Sequence, residues 1–366
     1  MNPYQSMDAY AFWKNSIAND QIYFPDNIYQ KKFDIVKTDK IATAGSCFAQ
    51  HVGKSLKSRG FGVMDYEPSP WPLPKEIRQK FGYEIYSARY GNIYTSRQLL
   101  QLIQEVLEIK KPENYIWQKN NRFYDAIRPN IEPDGFESIE ELLYVRSYHI
   151  LKVKQLFQDM DIFVFTLGLT ETWQDKKSLT AYPTAPGVIA GHYDSNIFEF
   201  NNLNYLEISS DLITAINLLN QDRDLNNKIK FVFTVSPVPL AATALPRHAL
   251  VSTTYSKSVL RSVAGYLSDN NPFIDYFPSF ELIANPWSTE SNYLSNMRDV
   301  NPKSVSKVMD IFLKTHTGNI SEVEPVNNKT NIESTKSLED LTDVVCEEML
   351  LEAFSKLPPT APPIEL

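Results

Sequence analysis

The chain has 366 residues, 43% of them hydrophobic and 12% aromatic, enough to bury a large core as one elaborated domain or two. Its net charge is −8 and it shows no basic stripe, which excludes nucleic acid as an expected partner. No run approaches the ~20 apolar residues of a membrane span, and Met1-Asn2-Pro3-Tyr4-Gln5 lacks the basic-then-apolar pattern of a secretory signal, so a cytoplasmic location is expected.

Two cysteines, Cys47 and Cys346, are too few for a disulfide framework and read as thiols of a reducing compartment. The charge is uneven. From Ser321 to Leu366 there are ten acidic and three basic residues, whereas the preceding body is nearly neutral.

In chain order, residues 1–34 mix aromatics, Asn and Asp without periodicity (Tyr10, Phe12, Trp13, Tyr23, Phe24) and read as an arm laid over the body. Lys40 to Gly45 is a short, mostly apolar run that breaks at Gly45-Ser46 before Phe48, Val52 and Leu56 recur at helical spacing up to Gly60. A strand ending in Gly-Ser ahead of a helix puts the serine hydroxyl at the carboxyl end of a sheet, beside unpaired helix N–H groups, where a nucleophile is useful. Phe61-Gly62-Val63-Met64 is expected to begin a second strand and complete a parallel strand–helix–strand unit.

The segment from Pro68 to Gly82 is proline-rich and irregular, and Tyr90 to Thr95 is a loop with turn chemistry at Gly91-Asn92. Ser96 is expected to cap a helix carrying Leu99, Leu102, Ile103 and Val106, and Tyr124 to Pro129 reads as a polar loop. Ser138 with Glu141 forms a capping-box pattern ahead of Leu143, Val145, Ile150 and Leu156. Asp161 to Gly168 and Lys230 to Pro237 then hold continuous apolar, aromatic and β-branched runs, which read as central parallel strands buried on both faces. The second follows a helix centred on Leu212 to Leu219. Phe273 to Phe277 is a shorter strand after a helix from Ser256 to Leu267, and Val305 to Leu313 closes the domain.

This alternation predicts an α/β fold, a three-layer α/β/α sandwich around a parallel sheet, spanning 35–318. Ligands of such sheets bind beyond the carboxyl ends of the strands, where Gly45-Ser46, Gly168 to Glu171, Ser236-Pro237 and the loop after Phe277 converge. Residues 319–366 form an acidic tail with helical spacing from Ser337 to Lys356 and a Pro-rich end, a candidate contact for a protein partner.

Gly91-Asn92 offers a backbone and a side-chain donor for an oxyanion, and Gly168 to Glu171 adds a strand-end cluster with a carboxylate. Cys47 is the competing nucleophile, but its side chain turns from the cleft if that of Ser46 turns in. Asp125 and Arg128 suit a hydroxyl-rich or anionic ligand, and Trp173 and Tyr94 could stack on a sugar face. No cluster has metal-ligand spacing and no glycine-rich phosphate loop is present, so neither metal nor nucleotide cofactor is expected.

Gly45-Ser46-Cys47-Phe48-Ala49 is the motif that names the GSCFA family, grouped with the SGNH (GDSL-like) hydrolases. Tyr90 to Thr95, Thr166 to Trp173, Thr234 to Leu240, Tyr255 to Arg261 and Tyr276 to Glu281 also resemble its blocks, in order. The resemblance covers roughly Ile35 to Phe312. It implies a flavodoxin-like sheet with Ser46 as nucleophile, in a superfamily that hydrolyses or transfers acyl groups on carbohydrates and lipids. The Ser46 N–H, Gly91 and Asn92 then stand where SGNH enzymes place oxyanion donors, and Thr170 stands where many carry Asn.

Those enzymes usually place an Asp and a His three residues apart before the last helix. The matching stretch, Asn296 to Pro302, has no histidine. A serine without a base in reach is a poor nucleophile. Of the five histidines, His51 is expected to face solvent, His149 and His316 to be structural, and His192 to follow a Pro186-Gly187 loop that could reach over the site. His248, on the loop after Ser236-Pro237, is the preferred candidate base, and Glu171 would orient or replace it. The expected activity is that of a serine esterase or acyltransferase on an acylated carbohydrate or similar ester. The alternative is a binding protein that kept the cleft and lost the base.

Overall fold

The computed structural model describes residues 2–18, 27–287, 291–317, 350, 351 and 354. The tail helix expected from Ser337 to Lys356 lies almost wholly outside the described residues.

In chain order the elements are β1 (Ile41–Gly45), α1 (Ala49–Ser58), α2 (Lys75–Lys80), α3 (Ser96–Val106), β2 (Ile116–Lys119), β3 (Arg122–Asp125), α4 (Ile139–Asp159) and β4 (Ile162–Leu167). They continue with β5 (Glu171–Asp175), β6 (Ala181–Tyr182), β7 (Phe198–Asn202), α5 (Tyr205–Asn220), β8 (Lys230–Val235), α6 (Ala249–Asn270), β9 (Ile274–Tyr276), α7 (Ser279–Ile283) and α8 (Pro302–Thr317).

The central sheet has the order β1-β4-β8-β9, with every neighbour parallel. Successive strand residues point to opposite faces, and both faces are covered. Ala42, Ala44, Phe163, Phe165, Leu167, Phe231, Phe233 and Val235 pack under α3, α4, α5 and α6. On the other face Ile41, Ile162, Val164 and Val232 meet Val52 and Leu56 of α1, Leu282 and Ile283 of α7, and Val305, Val308 and Phe312 of α8. The protein is thus an α/β/α sandwich whose sheet lies between two hydrophobic layers.

The expected second strand is reduced to a single parallel bridge between Val63 and Ile41. That bridge still sits on the outer side of β1. Counting it as the second position gives a 2-1-3-4-5 order, the doubly wound arrangement whose ligand crevice opens where the chain reverses direction across the sheet, between the first and third positions. Here those are β1 and β4.

Two further sheets flank this core, a β2-β3 hairpin and an antiparallel β6-β5-β7 sheet. The sequence reading missed both. Tyr124 and Asp125 end β3 rather than opening a loop, and Glu171 begins a strand whose register with β7 runs from Glu171–Asn202 to Asp175–Phe198. Smaller shifts concern helix ends. Thr95, not Ser96, caps α3, its hydroxyl accepting the Gln98 N–H while the Gln98 side chain reaches back, whereas Ser138 does cap α4 by accepting the Glu141 N–H.

From the N-terminal region, Tyr29 is buried. Its hydroxyl donates to Asp275 at 2.9 Å and lies 3.0 Å from His316 Nε2. Among the described residues no helix is long and apolar enough to cross a membrane.

Candidate active site

Ser46 follows β1 directly, at the point where the sheet order places its crevice. Its placement rests on two glycines. Gly45 has φ +132°, and a Cβ there would lie 2.4 Å from the Thr166 carbonyl oxygen and 2.6 Å from the Thr166 nitrogen of β4. A Cβ on Gly168 would lie 2.8 Å from the Ser46 Cβ and 3.1 Å from the Tyr94 carbonyl oxygen. Only glycine at each position lets the ends of β1 and β4 and the Tyr94 main chain meet around this serine.

Hydrogen bonds fix the backbone of Ser46. Its N–H donates to the Thr166 carbonyl at 3.0 Å, and its carbonyl accepts from the Ala49 N–H at 2.8 Å and the Tyr86 hydroxyl at 3.0 Å. The hydroxyl differs. Ser46 is 2% exposed, and its Oγ is buried with no hydrogen-bond partner among the described residues, as is the Oγ1 of Thr166. Buried polar atoms are almost always bonded, so an orphan at the ligand-binding edge of the fold calls for an explanation.

The Tyr90–Thr95 loop crosses both strand ends. Ile93 N–H donates to the Gly45 carbonyl at 2.9 Å, and the Tyr94 carbonyl accepts the N–H groups of Gly168 at 3.1 Å and Leu169 at 2.9 Å. Asn92 is buried, and its Oδ1 accepts from the Tyr86 hydroxyl and, at 3.3 Å, from Gln50 Nε2. With Oδ1 committed to these donors, the amide nitrogen of Asn92 is turned to the opposite side. Gly91 and Asn92 line a small pocket of about 20 Å³ with Gln50, Gln79, Tyr86, Ile85 and Ile131.

On the other side, the turn after β4 is gripped by two successive residues of α6. Ser256 Oγ accepts the Thr170 N–H at 3.1 Å, and Lys257 Nζ donates to the Gly168 carbonyl at 2.6 Å. Thr170 Oγ1 donates to Asn202 Oδ1 at 2.6 Å, so both donors of Thr170, an expected oxyanion residue, are bonded within the protein. Lys257 is only 2% exposed. A fully enclosed lysine is rare, and sequence reasoning passed over it. The signal was present, because Lys257 interrupts an apolar stripe that continues through Leu260, Ala264 and Leu267 at helical spacing.

Glu171 is half-buried at the start of β5. It accepts from Thr243 Oγ1 at 2.6 Å and from the Ala244 N–H at 3.4 Å. Burial raises its pKa above the usual carboxylate range, partly offset by these bonds and by Arg247. His248 is exposed and caps α6, its Nδ1 accepting the Leu250 N–H at 3.1 Å. Among the described residues, His248 forms no hydrogen bond with Glu171 or Ser46.

His51 corrects an expectation. It is 6% exposed, not solvent-facing, because α1 lays that flank against Phe48, whose ring meets the imidazole edge-on at 5.6 Å. Burial, helped by Lys54, lowers its pKa to about 3. His149 contacts Glu67 through Nδ1 at 2.6 Å, while His192 is exposed beside a second cavity near Pro186 and Gly187. Cys47 is buried in the first turn after the strand.

Of the four residues expected to touch a substrate, Trp173 lines a cavity. Tyr94 is enclosed with Leu169 and Leu240. Asp125 and Arg128 are buried together, Arg128 donating to Asp125 at 2.8 Å and to the Arg89 carbonyl at 3.2 Å. Arg146 of α4 binds the same Asp125 at 2.7 Å and Glu105 of α3 at 3.1 Å. Burial alone would raise the Asp125 pKa, but Arg146 and Arg128 outweigh it and hold it low. These charges tie the β2-β3 hairpin to α3 and α4. No group of three or more His, Cys, Asp or Glu side chains that could hold a metal ion occurs among the described residues.

A buried serine at the crossover of a doubly wound sheet is the arrangement of an α/β protein with a strand-end site. The chain belongs to the GSCFA family, whose model matches residues 40–312. No curated protein and no solved structure matches it.

Proposed function

We propose that the protein is an SGNH-like serine esterase or acyltransferase, with Ser46 as nucleophile, acting on an acylated carbohydrate or similar ester. The observation that carries this reading is the Ser46 hydroxyl, buried without a partner among the described residues at the β1/β4 crossover while its own N–H and carbonyl are bonded. In the reaction Ser46 Oγ forms a bond to the acyl carbon, its proton passes to a base, and the carbonyl oxygen becomes an oxyanion facing Gly91 and Asn92. Collapse expels the alcohol, which takes up a proton, and the acyl-enzyme is resolved by water or by a sugar hydroxyl. His248 and Glu171 are the candidates for moving the proton. Because the hydroxyl is enclosed, acylation requires the segments packed around it to open. A cytoplasmic setting favours transfer in biosynthesis over scavenging hydrolysis, with no metal or nucleotide needed and the acidic tail contacting a protein partner.

A second reading, a non-catalytic binding protein that retains the cleft, is favoured by the lack of any hydrogen bond between Ser46 and a base among the described residues. A fluorophosphonate probe separates the two. Labelling that disappears in Ser46→Ala supports the enzyme, and no labelling at any pH supports the binding protein. Within the first reading, His248→Ala lowers turnover by roughly a hundredfold or more. An unchanged rate removes His248 from the mechanism, and Glu171→Gln then becomes the decisive variant.

A further inference from the structure

The β5–β7 sheet brings an apolar cavity to the same edge of the fold, and no step of the proposed reaction yet uses it. It encloses about 240 Å³ between Leu169, Trp173, Tyr182, Phe200 and Leu240, with Leu351 also facing it. Several polar groups in its wall are already bonded within the protein. Glu171 is bonded to Thr243, Thr172 Oγ1 donates to the Tyr182 carbonyl at 3.4 Å, and the Tyr182 hydroxyl donates to the Glu113 carbonyl at 3.1 Å. A sugar placed there would lose its bonds to water and find few in return, whereas a hydrocarbon loses nothing. Residues of its wall adjoin those packed around the serine. Leu169 follows Gly168, the residue packed against Ser46, and Leu169 and Leu240 form one apolar cluster with Tyr94. The small pocket beside Asn92 is linked to Ser46 through Tyr86, whose hydroxyl donates to the Ser46 carbonyl.

We infer that this cavity is the acyl-chain subsite, taking an apolar chain. The inference rests on the Ser46 reading for its role but not for the binding itself. At about 30 Å³ for each water-sized group, the volume holds roughly eight such groups, which sets the chain at about six to eight carbons.

The test has two arms on the full-length chain. In the first, Ser46→Ala protein is titrated with butanol, hexanol and octanol, followed by tryptophan fluorescence and calorimetry. Affinity is expected to rise about fourfold per methylene, and Ala242→Phe, a substitution at an exposed position in the cavity wall, is expected to abolish that rise. Leu240→Phe fills the cavity from another lining position if the first variant folds poorly.

In the second arm, 4-nitrophenyl esters from acetate to decanoate are compared on the unmodified protein. The expected result is a kcat/KM that climbs with chain length up to octanoate and a climb flattened through KM by Ala242→Phe. Ester hydrolysis with no chain-length dependence and no alkanol binding overturns the subsite and leaves Ser46 standing. Alkanol binding that Ala242→Phe blocks, without probe labelling or hydrolysis, upholds an apolar-chain site and removes the Ser46 mechanism.

Discussion

Replacing Gly45 by alanine probes the contact on which the placement of Ser46 depends. Two costs add at this position. The backbone sits at φ +132°, a conformation that side-chain-bearing residues rarely adopt, which costs about 1–3 kcal/mol. The new methyl would also lie 2.4 Å from the Thr166 carbonyl oxygen. That atom is backbone of a central strand, held in register with Gly45 and already accepting the Ser46 N–H, so it cannot swing aside as a flexible side chain would. Overpacking of this kind adds about 1–3 kcal/mol. The expected loss is therefore about 2–6 kcal/mol, a large part of the 5–15 kcal/mol of an ordinary domain.

Gly60→Ala is the internal control. It has φ +78° but nothing within 4 Å of the added Cβ, so it carries the conformational cost of about 1–2 kcal/mol without the clash. Urea denaturation followed by tryptophan fluorescence gives both values, and their difference isolates the steric contribution. If Gly45→Ala is no more destabilising than Gly60→Ala, the close β1–β4 approach described here is wrong.

Acid should destabilise the protein well before its carboxylates titrate. Burial lowers His51 to about 3 and His149 and His316 to about 4, with Lys54, Arg128 and Lys31 respectively adding to it, and Glu67 and Asp34 partly opposing it at the latter two. The unfolded chain binds these protons near pH 6.5, so between about 6.5 and 4 it binds more protons than the native state and stability falls as pH falls, by up to about 1.4 kcal/mol per pH unit for each histidine. The urea midpoint is expected to drop from pH 7 to pH 5, less so in His51→Phe, and an equal midpoint at both pH values would refute neutral buried histidines. Arg146→Met leaves Asp125 and Glu105 as buried carboxylates without their shared partner, at a cost of about 3–5 kcal/mol; a loss under about 1 kcal/mol in chemical denaturation would show that this cluster does not hold the hairpin to the helices. Gly168→Ala pushes a methyl to 2.8 Å from the Ser46 Cβ and is expected to lower fluorophosphonate labelling roughly a hundredfold. Labelling at the original rate would mean that Ser46 reacts from a position other than the one seen.

Elements buried on both faces were readable from the chain. Ile162 to Leu167 and Phe231 to Val235 are continuous apolar runs because each residue meets one or other hydrophobic layer. The β5–β7 sheet was not readable. Glu171-Thr172-Trp173-Gln174-Asp175 is a mixed, half-buried segment, and its pairing with Phe198–Asn202 depends on a partner far along the chain. The site divides in the same way. Gly45-Ser46 announces a strand end from local residue types, whereas Tyr86, Ser256 and Lys257 join the site only because separate elements fold onto one edge.

By itself the sequence determined the alternation of strands and helices, the parallel sheet they build, and a serine at the end of the first strand, because hydrophobic periodicity and turn chemistry are written between near neighbours. Only the tertiary structure decided that β4 lies beside β1, that Gly168 closes on Ser46 with its carbonyl held by Lys257, and that Asp125 and Arg128 are sealed inside while Trp173 lines a cavity. Those are contacts between distant segments. They depend on which residues share a strand end or a face once the sheet order is set, and no local pattern along the chain encodes that order.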